Sequence, residues 1–223
     1  SKEKIYAKKK NVFIFSLPRS GSTWLMELIW SQPGFKYCNE PLNLKGELIK
    51  NKSGINGFDE LYSDAVKDKL LYYFKSIVNG RFHFLDPNPF RKYYRFFTNR
   101  VVFKVIHGGE KFINDLSDQC NGRVVYLLRH PLPVALSRKV LPRMDQLCSD
   151  YVLKHFSEDE RLIAKELNEN GSPLERRVLG WCLQNKLALM QRREDWLVIT
   201  YEQLTVDPAP VIELLVKELE LAN

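Results

Sequence analysis

Three observations predict an α/β fold of three layers, with helices on both faces of a central parallel sheet of about four to five strands. Runs of β-branched and aromatic residues alternate with segments of helical spacing along the whole chain. The first such run leads directly into a Ser- and Gly-containing turn and then a helix, a phosphate-binding arrangement resembling a P-loop. No internal repeat, low-complexity tract or evident linker divides the 223 residues, so 1–223 reads as a single domain with 1–10 as a flexible arm.

Val12 to Ser16 (VFIFS) is the first strand, and Trp24, Leu25, Leu28 and Ile29 recur at helical spacing after it. Residues 33–57 hold several Gly, Pro and Asn and read as loop with room for one short strand. Phe58, Leu61, Tyr62, Ala65, Val66, Leu70, Tyr73, Phe74 and Ile77 follow one helical period that Gly80 closes. Phe90, Tyr93, Tyr94 and Phe97 repeat at i, i+3, i+4 and i+7 as a separate aromatic stripe, either core or the lining of a cleft, and 58–100 is expected to be a helical, aromatic-rich insertion. Val101–Ile106, Arg123–Leu128 and Trp196–Thr200 are further strands. A helix runs from Arg129 through Ser137, and capping boxes at Ser157/Glu160 and Ser172/Glu175 open two more. Pro210–Leu219 is a final amphipathic helix. In such a sheet, ligands gather at the carboxyl ends of the strands, where the turn after Ser16, His107, Arg129 and Tyr201 all fall.

A net charge of +7 favours anionic ligands, and neither zinc-finger spacing nor a dense basic helix points to nucleic acid. Lys8, Lys9 and Lys10 read as a solvated arm. Cys38, Cys120, Cys148 and Cys182 are widely spaced and fit free thiols in a reducing, cytoplasmic setting. No apolar run is long enough to span a membrane, no signal-peptide pattern begins the chain, and no metal-ligand cluster is evident; an anchor trimmed from the sequence would leave no trace. Oligomeric state is not readable.

The chemistry concentrates in Leu17, Pro18, Arg19, Ser20, Gly21, Ser22 and Thr23. The first N–H groups of a helix lack internal partners and the helix dipole adds positive potential there, which suits a phosphate. Gly21 permits close backbone approach, Ser20, Ser22 and Thr23 add hydroxyls, and Arg19 adds a planar cation. The nucleotide triphosphatase pattern GxxxxGK[ST] is absent, because no Lys precedes Ser22 and Thr23. Plain capping of the helix is the alternative for this turn taken alone. Arg129, leaving a strand, and Ser137, eight residues on, could meet around a second phosphate.

Together, PRSGSTWL and the later Arg129/Ser137 pair resemble the sulfotransferase family, which uses 3′-phosphoadenosine 5′-phosphosulfate (PAPS) and releases the desulfated product PAP. WLVITYEQLTVDPAPVIELLVKEL is similar to the family's Tyr-Glu-x-Leu strand end and following helix, so the likeness is scattered over nearly the whole chain. The resemblance implies that Arg19 contacts the sulfonate, that Ser20, Gly21, Ser22 and Thr23 cradle the 5′-phosphate, and that Arg129 and Ser137 hold the 3′-phosphate. Trp24 either stacks on adenine or packs in the core. Glu40, in the Glu-Pro pair of CNEP, matches the proposed base of tyrosylprotein, carbohydrate and several bacterial members. His107 is the alternative base, since Lys104-Val105-Ile106-His107 is one residue longer than the Lys-Thr-His of the cytosolic branch. That branch's later Arg-Lys-Gly and Gly-x-x-Gly segment does not occur before Asn223, which fits a more distant branch or a sequence cut short of it. The implied reaction needs no metal, and its acceptor would be a small metabolite or carbohydrate offering a hydroxyl, an amine or an amide. Two other readings stay open: a small-molecule or nucleotide kinase with a divergent loop, and a non-catalytic binder of anionic polymers.

Overall fold

The computed structural model describes residues 9–45, 47–82, 93–106, 108–138 and 143–221. In chain order the elements are β1 (Asn11–Ser16), α1 (Ser22–Trp30), β2 (Phe35–Asn39), α2 (Glu47–Ser53), α3 (Phe58–Tyr62), a 3-10 turn (Asp64–Val66), α4 (Lys67–Val78) and β3 (Arg100–Val105). Then follow α5 (Ile113–Gln119), β4 (Gly122–Leu128), α6 (Pro131–Ser137), α7 (Met144–Leu147), α8 (Asp150–Leu153), α9 (Glu158–Asn170), α10 (Pro173–Leu189), β5 (Leu197–Thr200), α11 (Tyr201–Val206) and α12 (Pro208–Glu218).

The strands form one parallel sheet in the order β2-β3-β1-β4-β5. All six residues of β1 are buried, as a central parallel strand covered on both faces requires. Alternation splits them between two cores. Val12 and Ile14 join Leu25, Met26 and Ile29 of α1 and Val211 and Leu215 of α12. Phe13 and Phe15 join Phe74 of α4, Phe103, and Ile113 and Leu116 of α5. The Phe13 and Phe103 rings stack with centroids 4.6 Å apart. This is the three-layer arrangement expected. One hand of crossover explains it: the chain moves toward β2 on the α1 face and toward β4 on the α4/α5 face. A third cluster, Leu147, Val152, Leu153, Leu179 and Leu183 with Tyr62, packs α7–α10 against α3.

Capping behaves as the sequence reading expects. Ser157 and Ser172 each accept from the N3 backbone while Glu160 and Glu175 reach back, and Thr200/Gln203 forms a third box. Two expectations are corrected. The single helix of residues 58–77 is broken into α3, the 3-10 turn and α4, with Ser63 in an extended conformation accepting from the Ala65 N–H. Serine competes for local backbone donors in this way, which the apolar period does not register. Residues 93–99 are not helical either: Tyr93 packs edge-on against Trp30, and Phe97 is 93% exposed and so is no part of the core; Phe90 lies outside the described residues.

Asn11 starts β1 with its side chain 1% exposed. Its Nδ2 donates to the Cys120 carbonyl at 2.7 Å and its Oδ1 accepts from the Val101 N–H at 2.8 Å, which closes the sheet's amino end on both sides of β1. Asn11→Ala would strand a buried carbonyl and a buried N–H, so urea denaturation should show a loss of roughly 2–4 kcal/mol, read as a lower midpoint at unchanged slope.

Candidate active site

The turn after β1 is held by left-handed backbone at Arg19 (φ 70°) and Gly21 (φ 86°). Gly21 is the N-cap of α1 and has no side-chain cap bond, so the first N–H groups of the helix are not taken by a serine or threonine at that position. Ser20 and Ser22 are buried, whereas Arg19, Thr23 and Trp24 are exposed. At 45% exposure Trp24 is not a core residue, which settles one of its two readings.

The floor of the turn comes from the far end of the chain. A Cβ on Gly21 would lie 2.4 Å from Cδ2 of Tyr201, so only glycine fits between this ring and the turn. The Arg129 guanidinium lies over the same Tyr201 ring, 4.3 Å from its centroid. Arg129 Nη1 donates to the Arg19 carbonyl at 2.9 Å, and the Arg129 carbonyl accepts from Trp181 Nε1 at 3.0 Å. Arg129 is thus part of the turn's own scaffold. Its Nε is enclosed without a hydrogen-bond partner. Ser137, at the last position of α6, donates locally to the Val134 carbonyl at 3.1 Å.

Opposite this scaffold, Lys104 of β3 is 5% exposed and its Nζ donates to Thr23 Oγ1 and to Glu40 Oε1, both at 2.9 Å. A buried ammonium persists only when its donors are paired, and here the partners are the turn and the carboxylate. Glu40 follows β2 directly, adopts φ 54°, and donates its N–H to the Lys104 carbonyl at 2.9 Å. A non-glycine residue at positive φ costs about 1–3 kcal/mol and is retained where the surroundings over-determine it. The site has two such residues, Arg19 and Glu40.

Of the residues expected from sequence, the structure brings Arg19, Gly21, Thr23, Glu40 and Arg129 together through Lys104 and Tyr201. His107 lies outside the described residues. Lys104, Tyr201 and Trp181 were not assigned roles from sequence. The available signal was a lysine inside a strand otherwise written VVF and VI, where an unpaired charge would be untenable. Among the described residues no group of three or more His, Cys, Asp or Glu is placed to hold a metal ion, and no helix is long and apolar enough to cross a membrane.

With this geometry in place, the comparisons with known proteins are informative. The family model described as a sulfotransferase domain matches residues 9–222, which is nearly the whole chain. The chain belongs to the sulfotransferase family. No curated protein matches the sequence. Among solved structures, the sulfotransferase domain from the curacin biosynthetic pathway aligns with a TM-score of 0.53 at 18% identity, covering 96% of this chain and 75% of that one. The sulfotransferase domain of the Synechococcus PCC 7002 olefin synthase aligns with a TM-score of 0.53 at 20% identity, covering 98% and 76%. At these identities the likeness is one of fold.

The Gly21–Tyr201 contact makes a test of the scaffold. Gly21→Ala should destabilise the protein by about 2 kcal/mol or more, from the left-handed backbone and the steric overlap together. Adding Tyr201→Ala should recover the steric part only, so a double-mutant cycle in urea should give a clearly non-additive pair.

Proposed function

We propose that the chain transfers the sulfonate of PAPS to a hydroxyl of a small metabolite or carbohydrate, with an amine or amide as the variant acceptor. The observation that carries this reading is the Lys104 bridge, which ties a candidate base, Glu40, to the anion-binding turn at Thr23. Membership of the sulfotransferase family supports the reaction class.

The residues present fit the donor. No side chain caps the first N–H groups of α1 at Gly21, Arg129 keeps an unpartnered Nε, and Trp24 offers an exposed aromatic face for adenine. When bound, PAPS supplies an activated sulfonate whose sulfur–oxygen bond to the 5′-phosphate is the one that breaks. Arg19 and the first N–H groups of α1 hold the 5′-phosphate region and stabilise the charge that grows on its oxygen. Arg129 and Ser137 take the 3′-phosphate; Ser137 is free to exchange its local bond to Val134 for a phosphate oxygen. Glu40 accepts the proton of the attacking acceptor hydroxyl, and Lys104 keeps that carboxylate oriented at the turn. The new bond joins the acceptor oxygen to sulfur, and the electron pair of the broken bond leaves with PAP. His107 is the other candidate base.

Calorimetric titration without metal should show micromolar PAP binding to the wild type. Binding should fall at least about tenfold in Arg129→Ala/Ser137→Ala, since each lost hydrogen bond to a charged group is worth about 1.5–3 kcal/mol. Absence of PAP binding to the wild type would overturn the reading. Glu40→Gln should keep PAP affinity and lower sulfonate transfer about 10²–10⁴-fold. If His107→Ala does so instead and Glu40→Gln does not, His107 is the base.

A further inference from the structure

A polar cavity of about 370 Å³ lies between α3, α7 and α8, a volume within the roughly 300–1,000 Å³ of small-molecule sites. Its walls are fixed from behind, where Tyr62 of α3 packs with Met144 and Leu147 of α7 and Val152 and Leu153 of α8 in one buried cluster. The β3–α5 connection ties it to the end of the sheet where Lys104 holds Glu40. A Cβ on Gly108 would lie 2.8 Å from Leu61 of α3, and one on Gly109 would lie 3.5 Å from Leu42, two residues after Glu40. Lys111, on the same connection, pairs with Asp64 at 2.7 Å and donates to the Tyr151 hydroxyl of α8. The cavity's helices and the Glu40 loop therefore pack on neighbouring residues of one segment.

The lining is polar and largely uncommitted. Asp59, Asp145 and the Gln146 amide form no ion pair or side-chain hydrogen bond among the described residues. Ser63 Oγ accepts from the Ala65 N–H and keeps its own donor; Ser149 Oγ donates to the Gln146 carbonyl at 2.7 Å and keeps its acceptor lone pairs. Tyr62 and Tyr151 add ring surface. Carboxylate oxygens only accept, so the groups that complete Asp59 and Asp145 are O–H or N–H donors, and an anion is disfavoured. A cation is not specially favoured either. Arg143 lies over the Phe58 ring, next to Asp59 in the chain, and Lys111 and Lys154 both lie over the Tyr151 ring, so the two carboxylates stand among positive neighbours. A neutral ring bearing several hydroxyls answers all of these features at once. Its hydroxyls donate to the carboxylates and exchange bonds with Gln146 and the serines, and its C–H faces meet the tyrosine rings.

We propose that this cavity binds a neutral saccharide unit, with Asp59, Asp145 and Gln146 as the residues that select it. The proposal deepens the sulfotransferase reading by making that unit part of the acceptor, and rests on it for the acceptor role alone; the saccharide site stands on its own residues.

The test is saturation-transfer NMR on PAP-free protein with a panel of neutral disaccharides of glucose, galactose, mannose and N-acetylglucosamine, and with glucosamine and glucuronate as charged probes. At least one neutral disaccharide should bind, and Asp59→Asn and Asp145→Asn should each weaken it at least about tenfold. Both side chains are exposed, so the urea midpoint should stay where it is. No binding by any neutral disaccharide, equal binding in wild type and both variants, or binding of glucosamine or glucuronate alone overturns the proposal. With PAPS present, the bound disaccharide should be sulfated, and Asp145→Asn should raise its KM by more than it lowers kcat. Saccharide binding by a protein that does not bind PAP supports the cavity and overturns the sulfotransferase reading. Saccharide binding without sulfation, in a protein that does bind PAP, supports the cavity and overturns its acceptor role.

Discussion

The structure depends on the placement of β1 between two parallel neighbours. Its backbone is hydrogen-bonded to β3 on one side and β4 on the other, and its side chains fill both cores. A strand held on four sides cannot slip by one residue without exchanging Phe13 and Phe15 for Val12 and Ile14 in cores of different shape. The turn at its carboxyl end therefore starts from a fixed point, and β3 and β4 deliver Lys104 and Arg129 to opposite sides of that point in a register the sheet has already set. The candidate site is a consequence of strand order.

Electrostatics then sorts the residues at that end. Lys104 is buried and needs its two partners; the pair it makes with Glu40 is a device for fixing a carboxylate, and is weak evidence for stability. Arg129 has one nitrogen on the turn's backbone and its face on an aromatic ring, so that its charge is held in place by the protein's own contacts. The 34 Lys and Arg residues are in this sense structured: some are paired with carboxylates, as Arg123 is with Glu218, while Arg19 and Arg129 lie at the carboxyl end of the sheet.

Much of this was legible in the sequence. The strands and capping boxes follow from local pattern, because β-branched runs and Ser-x-x-Glu spacing act over a few residues. The turn was legible for the same reason. Contacts between distant segments were not: nothing in the spacing around Tyr201 says that its ring lies beneath Gly21, and the partner of Lys104 depends on which strands are neighbours. The broken helix at Ser63 and the exposed Phe97 show the limit of periodicity, which reads apolar spacing but neither local hydroxyl competition nor what a segment packs against.

The Tyr201 ring under Gly21 has a bearing on how the protein is made. The two residues are about 180 positions apart, so the turn's floor is missing until the long stretch of chain between them has left the ribosome. A nascent chain ending after β4 has the sheet's centre but leaves the turn, the face of Arg129 and one edge of β4 uncovered. Unpaired strand edges of that kind recruit other chains, so the interval before β5 docks is the one in which this protein is most exposed to misassembly and most in need of a chaperone.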